Sequence, residues 1–401
     1  MKRRTLLTTT LATIVAGGLA VGTAHAAGTI KIGAVAPKTG PLSGGSTVTH
    51  WPNIRLWVEQ VNARGGLKLK DGKKMLELIE YDDQTNPGVH IKAAQRLATQ
   101  DKVDFIVAPF GTGFNLASAP IYAKHGYPHI AVSAISDKIP ELTKRYPNLF
   151  FTLGSTTDFA GSVAKILAKM KADGKLGSGR VAMVNVADAF GIELAETARP
   201  IFKKAGLEIV YDKSYPLGTQ DLSPIVKGAK AANPDAFVAW SYPPDTFGLT
   251  KQALTQNLNV KAYYTAVATC FPAFGKAFGK AAEGILGAGG VDPTTPEMKA
   301  YRAAHLKITG KTADYWASAN TYASLQILEQ AIEGVGENDR KKVTQYIKDN
   351  TFKTIMGDIK FKNQVSYKYW TVGQWQDGVF YGVESRDMPN AKPVIIKSGW
   401  K

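Results

Sequence analysis

Short runs of apolar residues alternate along the chain with segments whose apolar residues recur every three or four positions. In the first such pair, an apolar run at 29–35 precedes a segment in which Ile54, Trp57 and Val61 share one helical face. The run predicts a buried strand, and the spacing of three and four predicts an amphipathic helix. The glycine pair at 65–66 predicts the end of that helix.

The same alternation continues to residue 132. Asn86 followed by Pro87 is typical of a helix N-cap and of the first helical position. We expect the inner face of this helix to consist of Ile91, Ala94, Leu97 and Ala98. The further strands of this half are predicted at 76–81, 105–108 and 129–132.

A second set of the same kind follows, in which Ser223-Pro224 is expected to cap a helix. Strands alternating with helices predict βαβ units, and two sets predict an α/β fold of two doubly wound parallel-sheet lobes. Ligands bind beyond the carboxyl ends of such strands, so the predicted site is the cleft between the lobes. The strands of the second set are predicted at 181–184, 207–211, 236–240 and 262–265.

After residue 284 the pattern changes to three predicted helices and a β-rich, aromatic tail. We expect these last segments to cross between the lobes, which makes three hinge crossings in all. The predicted division assigns 27–150 plus 285–355 to lobe 1 and 151–284 plus 356–401 to lobe 2. The three helices are predicted at 296–308, 313–334 and 341–348.

The N-terminus has the three parts of a signal peptide. Residues 1–4 are basic after the initiating methionine, residues 6–21 are mostly apolar or small, and Ala24 and Ala26 suit a signal peptidase. We predict a signal peptide at 1–26, cut after Ala26, and a periplasmic protein. A membrane anchor is the alternative, but threonines and glycines dilute the apolar stretch and no charged flank follows it. Residues 3–7 loosely resemble a twin-arginine signal, so the export route stays open between the general and twin-arginine pathways.

The composition is that of an ordinary globular protein, with 44% apolar and 20% charged residues. Cys270 is the only cysteine, which excludes an intrachain disulfide, and we expect its side chain to be buried. The formal charge of +16 falls to +13 without Lys2, Arg3 and Arg4. The basic residues are scattered, and export makes a nucleic-acid partner unexpected. We expect a monomer.

Two strand ends carry candidate binding residues. Gly111-Thr112-Gly113 ends the third strand and opens a helix, an arrangement that offers N–H groups to an anion or serves as a plain turn. It lacks the third glycine of a dinucleotide fingerprint. Ser133, Ser136 and Asp137 follow the fourth strand, where they either hold a carboxylate or amide or cap a helix.

Catalytic and metal motifs are missing from the sequence. The histidines at 50, 90, 125, 129 and 305 show no metal-ligand spacing and are expected in loops, at the surface or, for His129, at a strand edge. Asp82 and Asp83 point to opposite faces of a strand and are expected in strand-end and turn roles. The sequence therefore predicts no cofactor, no metal and no enzyme activity.

Several segments, taken in order, resemble the periplasmic branched-chain amino acid binding proteins. These are solute receptors of ABC importers. The resemblance implies the type I fold with two lobes and three crossings, a small-molecule ligand, and an inner-membrane ABC permease as partner. The segments that carry it lie at 30–42, 61–66, 80–87, 121–126, 140–143 and 281–285.

The resemblance also assigns site residues. It places the ligand carboxylate at the hydroxyl of Thr112 and the backbone N–H of Gly113. Contacts from the loop after the fourth strand and aromatic contacts from lobe 2 fall on Ser133, Ala134, Ser136, Phe190 and either Trp240 or Tyr242.

Two departures from the family bear on the ligand. Val267 stands near the position of the acidic residue that pairs with the ammonium group, and burying an ammonium without its counter-charge costs several kcal/mol. An α-amino acid is therefore in doubt unless Asp137 or Asp188 supplies the charge. The family's disulfide near Asn86 and Gly111 is also missing. The candidate walls are aromatic and suit a hydrophobic carboxylate, aromatic acids above all: Phe110, Phe114, Phe190, Trp240 and Tyr242.

The sequence thus predicts an extracytoplasmic receptor that captures a small amphipathic carboxylate by lobe closure and delivers it to a permease. A branched-chain or other amino acid binder of the same family is one alternative, and an amide or urea sensor is another. A periplasmic hydrolase is the third, although the sequence has no visible nucleophile–base pair.

Overall fold

The computed structural model of the protein describes residues 28–400. The predicted signal peptide at 1–26 and its cleavage site lie outside these residues. Within the described part of the chain, no helix combines the length and the apolar character that crossing a membrane requires.

The helices and strands follow one another in the predicted alternation. The first part of the chain contains β1 (Ile30–Ala36), α1 (Ser43–Thr49), α2 (Trp51–Ala63), β2 (Leu67–Leu69), β3 (Gly72–Lys74), β4 (Leu76–Asp82), α3 (Pro87–Thr99), β5 (Phe105–Val107), α4 (Thr112–Lys124), β6 (His129–Ala131), α5 (Ile139–Arg145) and β7 (Leu149–Phe151). The second part contains α6 (Thr156–Ala172), β8 (Arg180–Val186), α7 (Ala189–Lys204), β9 (Glu208–Tyr215), α8 (Ser223–Ala231), β10 (Ala236–Trp240), α9 (Pro243–Thr255), β11 (Ala262–Thr265), α10 (Pro272–Phe278), a 3₁₀ turn (Gly279–Ala282) and β12 (Leu286–Ala288). The last part contains α11 (Pro296–Thr309), α12 (Ala317–Val335), α13 (Arg340–Asp349), β13 (Thr351–Thr354), β14 (Gly357–Lys362), β15 (Val365–Ser366), β16 (Tyr369–Gln376) and β17 (Val379–Arg386).

Two main sheets build the first lobe. The parallel strands β4, β1 and β5 form a three-stranded sheet with β1 in the middle. The second sheet has the order β13-β14-β15-β7-β6. Ser133 joins the loops that leave β5 and β6, because its hydroxyl accepts the Gly111 N–H at 2.9 Å and donates to the Pro109 carbonyl at 3.0 Å.

One seven-stranded sheet builds the second lobe, in the order β17-β16-β12-β11-β10-β8-β9. The strands from β9 to β12 run parallel, and β16 and β17 add an antiparallel edge. The chain starts in β8, turns back to β9 and then proceeds in the other direction from β10, which is a doubly wound order. The predicted fold class of two doubly wound lobes is confirmed.

The chain passes between the sheets three times, after β7, after β12 and after β15. The exact boundaries of the lobes stay a proposal. The strand pairings favour moving two of the predicted boundaries. Residues 286–288 form β12, which pairs with β11 in the second lobe. Residues 357–366 form β14 and β15, of which β15 pairs with β7 in the first lobe. We therefore place the crossings at 152–155, 289–295 and 367–368.

Of the predictions about helix caps and buried helix faces, some are confirmed and others are wrong. The side chain of Asn86 caps α3 by accepting from the N–H groups of Gly88 and Val89, as predicted. Ser223 was expected to cap α8, but it is the first residue of that helix, and Leu222 precedes it without a side-chain cap. The inner face of α3 contains Ala94, Leu97 and Ala98 as predicted, whereas Ile91 is 36% exposed.

Candidate functional site

A largely apolar cavity lies between the two lobes. The atom-free space between its walls and at its mouth amounts to about 550 Å³. Its walls come from both lobes and from the crossings, and consist of Phe110, Gly111, Val132, Ser133, Ile135, Leu153, Phe159, Phe190, Leu194, Tyr242, Tyr264, Ala266, Val267, Ala288, Trp316 and Ala317.

Most of these residues follow the carboxyl ends of parallel strands. Phe110 and Gly111 come after β5, Ser133 comes after β6, and Tyr242 and Val267 come after β10 and β11. Parallel strands all end at the same edge of a sheet, so the loops that leave them meet there. The position of the cavity agrees with the cleft predicted from the sequence.

Phe110 and Gly111, which immediately precede α4, belong to the wall that lobe 1 contributes. Gly111 precedes this helix with φ 95°, a left-handed conformation that favours glycine. The N–H groups of the first helical turn have no acceptor within their own helix, and the helix dipole makes this end partly positive. The start of α4, next to Gly111 in the wall, can therefore hold an anion without a charged side chain.

Aromatic rings form the wall that lobe 2 contributes. The Tyr242 ring lies 5.0 Å from the Phe190 ring and 6.3 Å from the Phe110 ring across the cleft, measured between centroids. Asp188, just before Phe190 in the chain, caps α7 by accepting the Gly191 N–H at 2.9 Å, and burial raises the pKa of its carboxyl.

Asp245 fixes the backbone beneath Tyr242. Its carboxylate accepts the Tyr242 N–H at 2.9 Å and the Tyr215 hydroxyl at 2.6 Å. Burial raises the pKa of Asp245 to about 6. The ionised form is therefore costly in this position, even though both neighbours donate to it.

We expect this cost to appear in the pH dependence of stability. Below pH 4 the carboxyl is protonated in both states, and from there to about pH 6 the folded protein keeps a proton that the unfolded chain has lost. The contribution of Asp245 to stability therefore decreases as the pH rises through this window. In thermal melts from pH 4 to 7, the midpoint of the native protein should fall by a few degrees relative to Asp245→Asn. A constant difference between the two would contradict the raised pKa.

Six of the predicted site residues do not line the cavity. Thr112 is buried, and its hydroxyl accepts the Ile135 N–H at 3.4 Å. Gly113 faces Ala189 at the start of α7. Trp240 lies behind Tyr264, with a distance of 5.4 Å between ring centroids. The other three are Phe114, Ala134 and Ser136. Their ligand-binding roles, like those of the residues that do line the cavity, stay predictions.

Phe114, Ala134 and Ser136 have other neighbours. The Phe114 ring packs on His90 at 4.9 Å. Ala134 belongs to a small cluster of buried apolar residues in lobe 1. Ser136 donates to the Glu193 carboxylate at 2.8 Å and therefore bridges the lobes instead of facing the cavity.

The lobes are joined beside the cavity by a polar contact that we call the clasp, formed by Ser136, Asp137, Thr157, Glu193 and Thr197. Glu193 accepts from Ser136 and from the Asp137 N–H at 2.7 Å. Asp137 accepts from the N–H and hydroxyl of Thr157, both at 2.9 Å, and from Thr197 at 3.1 Å. The clasp holds lobe 1 against α6 and α7 of lobe 2.

Large side chains in the walls that were not expected from the sequence include Phe159, Leu194, Tyr264 and Trp316. Phe159 and Leu194 lie in α6 and α7 of lobe 2, and Tyr264 lies in the strand predicted at 262–265, but none of them was assigned to the site. Trp316 immediately precedes α12. The alternation of side chains along β11, with Tyr263 and Tyr264 on opposite faces, was a signal that could have indicated Tyr264.

Neither candidate for an ammonium partner reaches the cavity. Asp137 is engaged in the clasp, and Asp188 caps α7. Val267 does line the cavity. Among the residues that line it, none has an ionisable acidic or basic side chain other than the tyrosines.

Polar residues outside the cavity have structural partners. His90 and His305 are buried in helices, so the prediction of surface or loop positions is wrong for them, whereas His50 is buried in the turn between α1 and α2. The reason is that the core supplies partners: His90 Nδ1 lies 2.9 Å from Asp83, and His305 Nδ1 lies 2.8 Å from the Lys311 carbonyl. Cys270 is buried, as predicted. Within residues 28–400, no group of three His, Cys, Asp or Glu side chains could hold a metal ion.

The chain matches a protein family over most of its length. A family model described as "Periplasmic binding protein" matches residues 29–378. An amino acid binding protein of Pseudomonas aeruginosa is 26% identical over 363 residues, which cover 88% of this chain and 92% of that protein.

Solved structures share the fold. A branched-chain amino acid transporter substrate binding protein from Streptococcus pneumoniae, in complex with isoleucine, superimposes with a TM-score of 0.77 at 22% identity, covering 89% of this chain and 99% of that one. A solute binding protein of an ABC transporter from R. palustris, in complex with benzoate, superimposes with a TM-score of 0.75 at 19% identity, covering 92% and 99%.

Proposed function

The chain belongs to the family of periplasmic binding proteins, and from this premise we propose that it is the extracytoplasmic receptor of an ABC importer for an aromatic or other hydrophobic carboxylate. It captures the ligand between its lobes and delivers it to an inner-membrane permease. The residues at 1–26 direct its export.

The lining of the cavity carries this proposal. Its aromatic rings, above all Phe110, Phe190 and Tyr242, suit a flat hydrophobic body. A carboxylate can lie at the start of α4, where N–H groups and the helix dipole favour an anion. The ammonium group of an amino acid would meet Val267 and no acidic side chain of the lining, which would leave a buried charge unpaired.

The solved structures with this fold contain ligands of the proposed size. These ligands include an amino acid and an aromatic acid. One structure with the same fold contains isoleucine and another contains benzoate. Both ligands are small carboxylates with an apolar body, and they differ in the ammonium group. The choice between them for this chain therefore depends on the lining of its own cavity.

Direct titration tests the ligand class. Because the lining offers rings and no acid, we expect benzoate-type acids to bind at least tenfold more tightly than leucine, a difference of about 1.4 kcal/mol. Isothermal titration calorimetry of the mature protein with benzoate and with leucine measures both affinities. Phe190→Ala should weaken benzoate more than leucine, since only the former stacks on the ring. Micromolar binding of leucine without binding of benzoate would overturn the proposed ligand class.

A further inference from the structure

Two hydrogen-bond donors in the walls of the cavity are buried and have no partner in the described part of the chain. The Tyr264 hydroxyl and the Trp316 indole N–H make no hydrogen bond to any residue within 28–400. Both side chains line the cavity and are at most 5% exposed. Leaving a buried donor unsatisfied costs about 1–3 kcal/mol.

Packing fixes the Trp316 indole near the second crossing. Gly289, which follows β12, lies so close to this ring that a Cβ on the glycine would be 2.0 Å from it. Phe159 packs on the other side at 6.2 Å between ring centroids. The backbone N–H of Trp316 donates to the Asp314 carboxylate at 2.7 Å, and this hydrogen bond anchors the residue at the start of α12. The indole therefore has little freedom to turn toward another acceptor.

Tyr264 is held in a similar way from the sheet. It lies in β11, one residue before the strand ends, and packs edge-on against Trp240. Burial raises the pKa of its hydroxyl, so the group is a neutral donor at any physiological pH. The proposed carboxylate position lies at the start of α4, next to Gly111, whereas Tyr264 belongs to β11 and Trp316 immediately precedes α12.

We propose that Tyr264 and Trp316 form a second polar subsite, which binds a neutral hydrogen-bond acceptor on the part of the ligand remote from its carboxylate. The proposal rests on the proposed function and narrows its ligand class to ring acids with a hydroxyl, ether or carbonyl oxygen. Both groups are uncharged donors. A second carboxylate would therefore lose its hydration without gaining a counter-charge, and ring dicarboxylates should be rejected.

A matched pair of probes tests the subsite. 4-Hydroxybenzoate and 4-methylbenzoate have nearly the same shape, and only the former offers an oxygen to the two donors. We expect the native protein to bind 4-hydroxybenzoate at least tenfold more tightly in calorimetric titration. Benzene-1,4-dicarboxylate should bind at least tenfold more weakly than 4-hydroxybenzoate.

Substitutions then assign the preference to the two donors. Tyr264→Phe removes only the hydroxyl. It should reduce the preference for 4-hydroxybenzoate over 4-methylbenzoate to threefold or less, while the affinity for 4-methylbenzoate stays within twofold of the native value. Trp316→Phe should reduce the preference as well. Trp370→Phe is the control and should keep the preference, because the Trp370 indole N–H is equally buried, has no partner among residues 28–400 and lies outside the lining.

The outcomes separate this proposal from the function on which it rests. Equal affinities of the native protein for the two probes, or an equal loss for both in Tyr264→Phe, would overturn the subsite and leave the receptor function in place. Absence of binding for every benzoate would overturn the proposed ligand class and the subsite together. If Tyr264→Phe does not fold, as judged by circular dichroism, the preference of the native protein and its loss in Trp316→Phe decide the question.

Discussion

Gly289→Ala is expected to lower the unfolding midpoint by about 5–10 °C and to remove high-affinity ligand binding. Gly289 has φ 83°, a conformation that costs a residue with a Cβ about 1–2 kcal/mol. The added methyl would also lie 2.0 Å from the Trp316 ring, and overpacking of this kind costs about 1–3 kcal/mol. The ring would have to leave its place in the wall of the cavity, so binding suffers together with stability.

A second glycine provides the control. Gly310, after α11, has φ 68° and open space around the position of a Cβ. Gly310→Ala therefore has the conformational cost without a steric clash. Its free energy of unfolding should fall by only about 1–2 kcal/mol, and the native ligand affinity should be kept. Thermal melts and titrations of both variants measure the difference. Equal losses in the two would mean that the contact with Trp316 does not matter.

Asp137→Ala is expected to weaken ligand binding about 30- to 100-fold without a large change in the unfolding midpoint. The carboxylate accepts three hydrogen bonds from Thr157 and Thr197 across the clasp. Hydrogen bonds to charged groups contribute about 1.5–3 kcal/mol each when buried, and we reduce their sum to about 2–3 kcal/mol because Asp137 is exposed. In the proposed function, closure of the lobes encloses the ligand, so free energy lost from closure is lost from affinity.

Glu196 supplies a matched control for the clasp. It is an exposed acid on the same helix as Glu193, and it accepts no hydrogen bond across the cleft from any described residue. Glu196→Ala should leave the affinity unchanged, while Glu193→Ala should weaken it in the same direction as Asp137→Ala. An unchanged affinity for Asp137→Ala would show that the clasp does not contribute to closure.

The location of the cavity could be predicted from the sequence because strand ends are local features. Apolar runs locate the strands, and the loops after parallel strands meet at one edge; this is how Ser133 was found, whereas Tyr242 came from the resemblance to the family. The residue that faces the cavity within each loop depends on the turn, and the sequence did not reveal that Thr112 and Ser136 turn elsewhere. Trp316 lies beside Gly289 only because a crossing brings them together, and no periodicity reports such a contact.

The errors in α3 have a related cause. A pattern of apolar residues placed Ile91 on the inner face, whereas the structure has His90 there, between Asp83 and Ser118. A polar residue can occupy a core position when its partners lie on other elements. The sequence does not show those partners until the fold has brought the elements together.

The return of the chain to lobe 1 through β15 has a consequence for the order in which the protein folds. Phe151 N–H donates to the Gln364 carbonyl, and Val365 pairs with Phe151, so β7 finds its neighbour more than 200 residues later. Contacts between such distant residues form slowly, because a long loop must close before they contribute. Lobe 1 therefore cannot complete its second sheet until almost the whole chain is available.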